Sequence, residues 1–352
     1  MQRPVYISHY FVLAPGIDNT EAFSKLVLYG SNDLDFNKIE FDSSSPFYPQ
    51  RSDLKAMRED VVASVIAVSE LLKSANITAE ACENIGLFTS TGVFFGEISN
   101  TINTLKSRLL EENESGRIRE NKSEYFDAIP PLTALRTLTN AIESYASLYS
   151  KLAGENAAFG GTSAGGFYAL QEAHQAIAHG RTQMAVVGSG NIGEPILQYA
   201  YRNFNEDGEG WKSTSCAAFL MLESAESLAQ RNLQPLAKIK QLKQSSRVPR
   251  LFINQGIGFD ELYKDSHPEF CVFPGGMNDA DYFHEKYFLQ GRDMEVFSLF
   301  PLLGNTNSAS VFMSVAASLA LQKQKGFSKS ICLERDVYER EFLVELDYDQ
   351  MI

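Results

Sequence analysis

"FGGTSAGGF", residues Phe159–Phe167, is the stretch on which the reading of this chain turns. Before it, "NAAFGG" reads as a strand. After it, "GGFYALQEAHQAIAHG" reads as a helix ended by Gly180. Between them, small residues crowd around Ser163. Gly161-Thr162-Ser163-Ala164-Gly165 matches G-x-S-x-G, the strained strand-to-helix turn that presents the nucleophilic serine of α/β-hydrolases. A similar text recurs at Leu303, "LGNTNSASVFMSVAASLAL": a glycine, a threonine, small residues, then a helix rich in alanine and aliphatics. Either the chain is internally duplicated or it buries two unrelated helices of similar make.

Outward from this stretch, strands and helices alternate. "PVYISHYFVLAPG" predicts a strand closed by a Pro-Gly turn, and "TEAFSKLVLYG" a helix from Thr20 to before Gly30. "DLKAMREDVVASVIAVSELLKSAN" predicts one long helix, "IGLFTSTG" a buried strand, and "LTALRTLTNAIESYASLYSKLAG" a helix stopped by Gly154. "QMAVVGSG", "STSCAAFLMLES" and "PLAKIKQLKQ" predict three further strands. The alternation points to an α/β fold with a largely parallel sheet covered on both faces.

The bulk numbers exclude several classes. The chain of 352 residues is 44% hydrophobic and 21% charged, which suits packed α/β domains. Its formal net charge of −13 repels polyanions, so nucleic acid is not an expected partner. Four scattered cysteines, Cys82, Cys216, Cys271 and Cys332, form no CxxC pair, so neither a metal site nor a disulfide framework is expected. With no signal-like N-terminus and no apolar run near the ~20 residues of a membrane span, the expected compartment is the cytoplasm and no membrane is an expected partner. Twenty-four Phe and 15 Tyr predict a large apolar interface.

As a hydrolase nucleophile, Ser163 needs a histidine base and an acid to orient it. The five histidines are His9, His174, His179, His267 and His284. His174 and His179 lie well along the following helix. His267 and His284 come late enough, with Asp260, Asp265 or Asp279 as acids, but neither sits in the loop context that usually presents the base. A serine esterase or thioesterase using Ser163 is the alternative that this motif supports.

A longer series of motifs carries more. "NIGLFTSTG", then "IPPLTALRTLTNAIESYASLYSKLAGENAAFGG", then the Ser163 turn, then "GRTQMAVVGSGN", then "CAAFLMLESAESLAQRNLQPLAKI" follow one another from Asn84 to Gln241. In this order and spacing the chain resembles the β-ketoacyl synthases of the thiolase-like fold. The resemblance implies duplicated βαβαβ layers in an α-β-α-β-α stack, with halves at 1–235 and 236–352 and the second half shortened. It places Ser163 on the family's nucleophilic cysteine. A thiolate at a helix N-terminus attacks acyl thioesters, whereas a serine hydroxyl needs a strong local base. The family's later K-S-x-x-G-H segment falls on "FPLLGNTNSAS", so Phe300 takes the lysine position and Asn305 the histidine position. "VFPGGMN" puts Gly275 near the other histidine. The closing Gly-rich loop is replaced by "KSICLERDVYEREFLVELDYD", which has no glycine and reads as two strands around a charged turn.

With the nucleophile, both histidines and the lysine altered, the resemblance is nearest to the chain-length factor of type II polyketide synthases, a ketosynthase-like subunit expected to have no catalytic residues of its own. Such a subunit pairs with an active ketosynthase as a heterodimer and closes the acyl-chain tunnel in polyketide or aryl-polyene-type biosynthesis. Family members commonly carry glutamine at the cysteine position, so serine is a departure. Phe94, Phe95, Ile98, Ile102 and Leu105 are the expected tunnel-lining residues, and "NAAFGG" is the expected pairing edge. The resemblance implies no cofactor or metal bound by the chain itself. The phosphopantetheine arm belongs to an acyl carrier protein, which docks mainly on the active partner.

Overall fold

In the computed structural model, residues 2–30, 39–92, 106, 132–193, 213–245, 266–273, 294–336 and 340–349 are described. The strands are β1 (Val5–Leu13), β2 (Gly86–Thr91), β3 (Asn156–Gly160), β4 (Met184–Asn191), β5 (Cys216–Ser224), β6 (Ala237–Ser245), β7 (Phe270–Phe273), β8 (Glu295–Ser298), β9 (Lys329–Arg335) and β10 (Glu341–Asp347). They form one sheet in the order β3-β2-β4-β5-β1-β6-β10-β9-β7-β8. Read from either end, the order is the same once β6 to β10 are matched to β1 to β5. The sheet is mixed rather than largely parallel: five of its nine pairings are antiparallel. Alternation alone hid this, because β9 and β10 follow each other without a crossover helix, as an antiparallel pair requires none.

The helices are α1 (Thr20–Tyr29), α2 (Arg51–Leu54), α3 (Glu59–Ser74), α4 (Ala79–Cys82), α5 (Thr133–Arg136), α6 (Ala141–Ser150), α7 (Ser163–Ala178), α8 (Ala225–Arg231), α9 (Phe300–Leu303) and α10 (Ser310–Lys325). α7 follows β3 and α10 follows β8, so the two copies of the repeated text occupy matching places in the two halves. α10 packs against α1, α7, β5 and β9, and the main core joins these helices to both halves of the sheet. A second core lies between α3, α6 and the other face of β2, β4 and β5. A third, smaller cluster of Cys271, Phe273, Ile331, Leu333 and Leu343 lies on the outer face of the C-terminal half.

Two expected helices are each broken. The predicted helix from residue 53 is interrupted at Lys55–Arg58, because Arg58 takes an extended conformation before α3 and buries its guanidinium against Asp60. The predicted helix from residue 132 splits into α5 and α6 and ends at Lys151 in the left-handed conformation, not at Gly154. Gly154 serves packing instead. A Cβ there would stand 2.6 Å from the backbone of Ile85, so glycine permits the close approach of the two segments. Among the described residues, many of the phenylalanines go inward. Phe23, Phe88, Phe167, Phe219, Phe270, Phe312 and Phe342 are fully buried, while the exposed large apolar residues among those described are Tyr29, Leu135, Leu138, Leu148 and Leu236. All four cysteines are buried free thiols, and burial pushes those of Cys216 and Cys332 upward. Among the described residues no helix is long and apolar enough to cross a membrane.

One half-buried base gives the fold a pH dependence. Burial, helped by nearby His179, pushes the His174 imidazole on α7 down to about 4. The unfolded chain therefore takes up this proton first, near pH 6.5, and stability falls as pH drops from there towards 4. We expect this one group to cost on the order of 1 to 3 kcal/mol across that window. Denaturant titrations at pH 7 and pH 4.5 should show a smaller loss for His174→Gln than for the wild type.

Candidate functional site

β3 ends at Gly160, and the chain turns through Gly161 and Thr162 into α7. The Gly161 N–H donates to the Thr91 carbonyl at 3.0 Å, which ties the turn to the end of β2. Thr162 is the N-cap residue, but its side chain makes no capping bond, and its buried hydroxyl has no partner among the described residues. Ser163 opens the helix and is 5% exposed. Its φ is not among the positive values, which among non-glycine described residues belong to Asn76, Lys151, Asn232 and Asn307. The strained turn that a hydrolase elbow demands is therefore absent, and the G-x-S-x-G match marks a close-packed helix start.

The Ser163 hydroxyl donates to the backbone carbonyl of Arg335, at 3.0 Å. A peptide carbonyl accepts a hydrogen bond but does not take up a proton near neutral pH, so this partner does nothing to generate an alkoxide. No described histidine replaces it: His9, His174, His179 and His267 make no hydrogen bond to Ser163, and His174 lies about 16 Å further along the helix at 1.5 Å per residue. His284 lies outside the described residues.

The carbonyl comes from the hairpin of β9 and β10, which in the sequence reads only as a charged turn between strands. That hairpin is cross-tied. The Asp336 N–H donates to the Arg340 carbonyl at 3.0 Å, and the Asp336 carboxylate accepts from Arg340 N at 2.8 Å and Nε at 2.6 Å. Arg335 donates to Glu341 at 2.9 Å, and the Arg340 guanidinium lies 6.0 Å from the ring centre of Tyr168 on α7. One residue before Arg335, the buried Glu334 carboxylate accepts from the hydroxyls of Ser310 and Ser314, the latter at 2.8 Å. This places a negative charge by the start of α10, where the helix dipole favours it.

Phe300 begins α9 and is half-buried. Asn305 follows it in a loop, its carbonyl accepting from Thr214 N at 3.1 Å and its side-chain oxygen from Asn307 N at 2.6 Å. The Asn305 amide is thus folded onto its own loop, as an Asx turn. Three residues on, the carbonyl of Ser308 sits so close to Gly166 that a Cβ on that glycine would overlap it. The structure therefore brings the 305–308 loop against the first turn of α7. Gly275 and the expected tunnel residues Phe94, Phe95, Ile98, Ile102 and Leu105 lie outside the described residues. Sequence reasoning missed the Arg335 carbonyl and the left-handed Asn307. A backbone acceptor leaves no mark in side-chain chemistry, whereas an Asn-rich "GNTN" loop does hint at a left-handed residue.

Comparison with known proteins supplies the context. The family model described as "Beta-ketoacyl synthase, N-terminal domain" matches residues 34–220, more than half of the chain. No curated protein sequence matches. Solved structures do, at low identity. A β-ketoacyl synthase from Burkholderia phymatum is 13% identical with a TM-score of 0.76, over 99% of this chain and 100% of that one. The ishigamide ketosynthase/chain length factor is 15% identical with a TM-score of 0.73, over 99% of both chains. A type II polyketide synthase acyl-carrier protein in complex with its ketosynthase, bound to the hexaketide (AntDE:AntF), is 16% identical with a TM-score of 0.72, over 99% of both. The thiolase-like ketosynthase fold expected from the motifs is the fold observed.

Removing the serine hydroxyl tests its structural share. Ser163→Ala should fold normally and lose about 0.5 to 1.5 kcal/mol, the net worth of one buried hydrogen bond, in a urea titration. Gly166→Ala, which drives a methyl into the Ser308 carbonyl, should cost more, about 1 to 3 kcal/mol or above.

Proposed function

This chain belongs to the β-ketoacyl synthase family, and on that footing we propose that it is a non-catalytic ketosynthase-like subunit. It pairs with an active ketosynthase and shapes the acyl-chain tunnel, in the manner of a type II polyketide chain-length factor. The observation that carries this reading is the bond from Ser163 to the Arg335 carbonyl: at the position expected for the nucleophile stands a hydroxyl with a backbone partner and, among the described residues, no histidine bonded to it. Phe300 and Asn305, in the places of lysine and histidine, support it, since neither side chain acts as a general acid or base at neutral pH.

The open edge of the sheet supports the pairing. β3 is an outermost strand, bonded on one side to β2, and its residues alternate between exposed and half-buried. Such an edge is a template for a further strand unless something covers it. Leu135, Leu138 and Leu148, at 45%, 46% and 65% exposure, stand on α5, the loop after it and α6, and α6 packs beside β2 and β3. The partner is an active ketosynthase, and the acyl carrier protein, with its phosphopantetheine arm, docks on that partner because the net charge of −13 disfavours an acidic carrier here.

Affinity purification of the tagged chain should yield a one-to-one complex with a ketosynthase that has a Cys-His-His site, weighed by light scattering. In that complex Ser163→Ala should leave product formation intact, while substitutions of Phe94 or Phe95 by Ala or Trp should change product length. Loss of product with Ser163→Ala would favour instead an acyl-accepting or hydrolytic serine.

A further inference from the structure

Arg58 is 6% exposed, and so is a rare buried cation. Its guanidinium forks onto Asp60, with Nε to Oδ1 at 3.0 Å and Nη2 to Oδ2 at 2.9 Å. Nη2 also donates to the Thr91 hydroxyl at 3.2 Å, at the end of β2. Nη1 donates to the carbonyl of Arg136 and, at 3.4 Å, to that of Leu138. Arg136 Nε returns a bond to the carbonyl of Lys55 at 3.2 Å. One buried cation thus joins three segments distant in sequence: the entry to α3, the end of β2, and the loop between α5 and α6.

That loop borders the open edge. A Cβ on Gly160, the last residue of β3, would sit 3.5 Å from the Thr139 methyl. Thr137, Leu138, Thr139 and Asn140 are exposed, as is Leu135 just before them. Its leucines do not anchor the loop by turning inward. The anchoring comes instead through its carbonyls, from below. A buried ion pair is in itself weak support for stability, since desolvation offsets much of the attraction. An apolar residue would pack beneath α3 equally well, but it would donate nothing to two carbonyls.

We propose that Arg58 is a positioning residue for the partner face. It fixes the 135–139 loop so that Leu135 and Leu138 stand preformed beside β3, ready to meet the ketosynthase. Ordering the loop in advance lowers the entropy lost on association. The inference rests on the heterodimer reading above.

The test compares affinity for the co-purified ketosynthase, by calorimetry, across wild type, Arg58→Lys, Leu138→Ala and the double variant, with hydrogen exchange read on the free chain. Lysine keeps the charge beside Asp60 but has no planar fork to span two carbonyls. Arg58→Lys should fold, lose exchange protection at the Arg136 and Leu138 amides, and bind about tenfold more weakly, equivalent to 1.4 kcal/mol. The double variant should bind little more weakly than the poorer single one, as coupled sites do. A folded Arg58→Lys with wild-type affinity, or strictly additive losses, overturns the proposal. Should Arg58→Lys fail to fold, Thr137→Gly loosens the same loop from its exposed side. It should weaken binding too, and unchanged affinity there also overturns the proposal. A wild-type chain that binds no ketosynthase defeats the heterodimer reading itself, a result seen before any substitution is made.

Discussion

The close approach of two buried helix starts governs this molecule. α7 and α10 lie between the halves of the sheet, and neither has a solvent face along most of its length. Gly166 meets the carbonyl of Ser308, and the Ser308 hydroxyl bonds onward to Ser189 at 2.8 Å. Where backbone meets backbone, only small residues fit, which explains both the glycines around Ser163 and the serines around Ser308. Hydroxyls serve there because a buried polar group must find a partner, and serine finds one at the lowest volume.

That constraint has a chemical consequence. Ser163, expected from the motifs at the nucleophile position, sits in this close contact, at the first turn of α7. In this chain the hairpin of β9 and β10 reaches it through the Arg335 carbonyl. The two strands are tied through Asp336 and Arg340, and the segment contains none of the glycines that would let backbone amides turn towards the site. The Ser163 hydroxyl finds its hydrogen-bond partner in that carbonyl, which accepts a hydrogen bond but takes up no proton near neutral pH.

The edge of the sheet carries the complementary argument. Among the described residues β3 is bonded on one side alone, to β2, and lies near outward leucines. In the interior, the buried carboxylates of Glu223, Glu334, Glu341 and Glu345 each have a hydroxyl or a cation as partner. Under the proposed reading, the hydroxyl held by a backbone carbonyl and the outermost strand β3 fit one role together.

Much of this was legible in the sequence. Strand and helix periodicities are local, so β1, β2, β5 and α7 stand where the text put them, and the echo between Gly160 and Leu303 marked two helices in matching places. The motifs alone raised the expectation that Ser163, Phe300 and Asn305 stand in the places of a cysteine, a lysine and a histidine, because side-chain identity is the sequence. Breaks in the long helices at Arg58 and at Thr137–Asn140 were not, because a buried guanidinium overrode local propensity with bonds to residues 78 and 80 positions away. The antiparallel pairings, the inward course of many phenylalanines, and the carbonyl that holds Ser163 belong to the tertiary structure alone. Each depends on which segments meet across long chain separations, and a backbone carbonyl is chemically the same at every residue until the fold aims it.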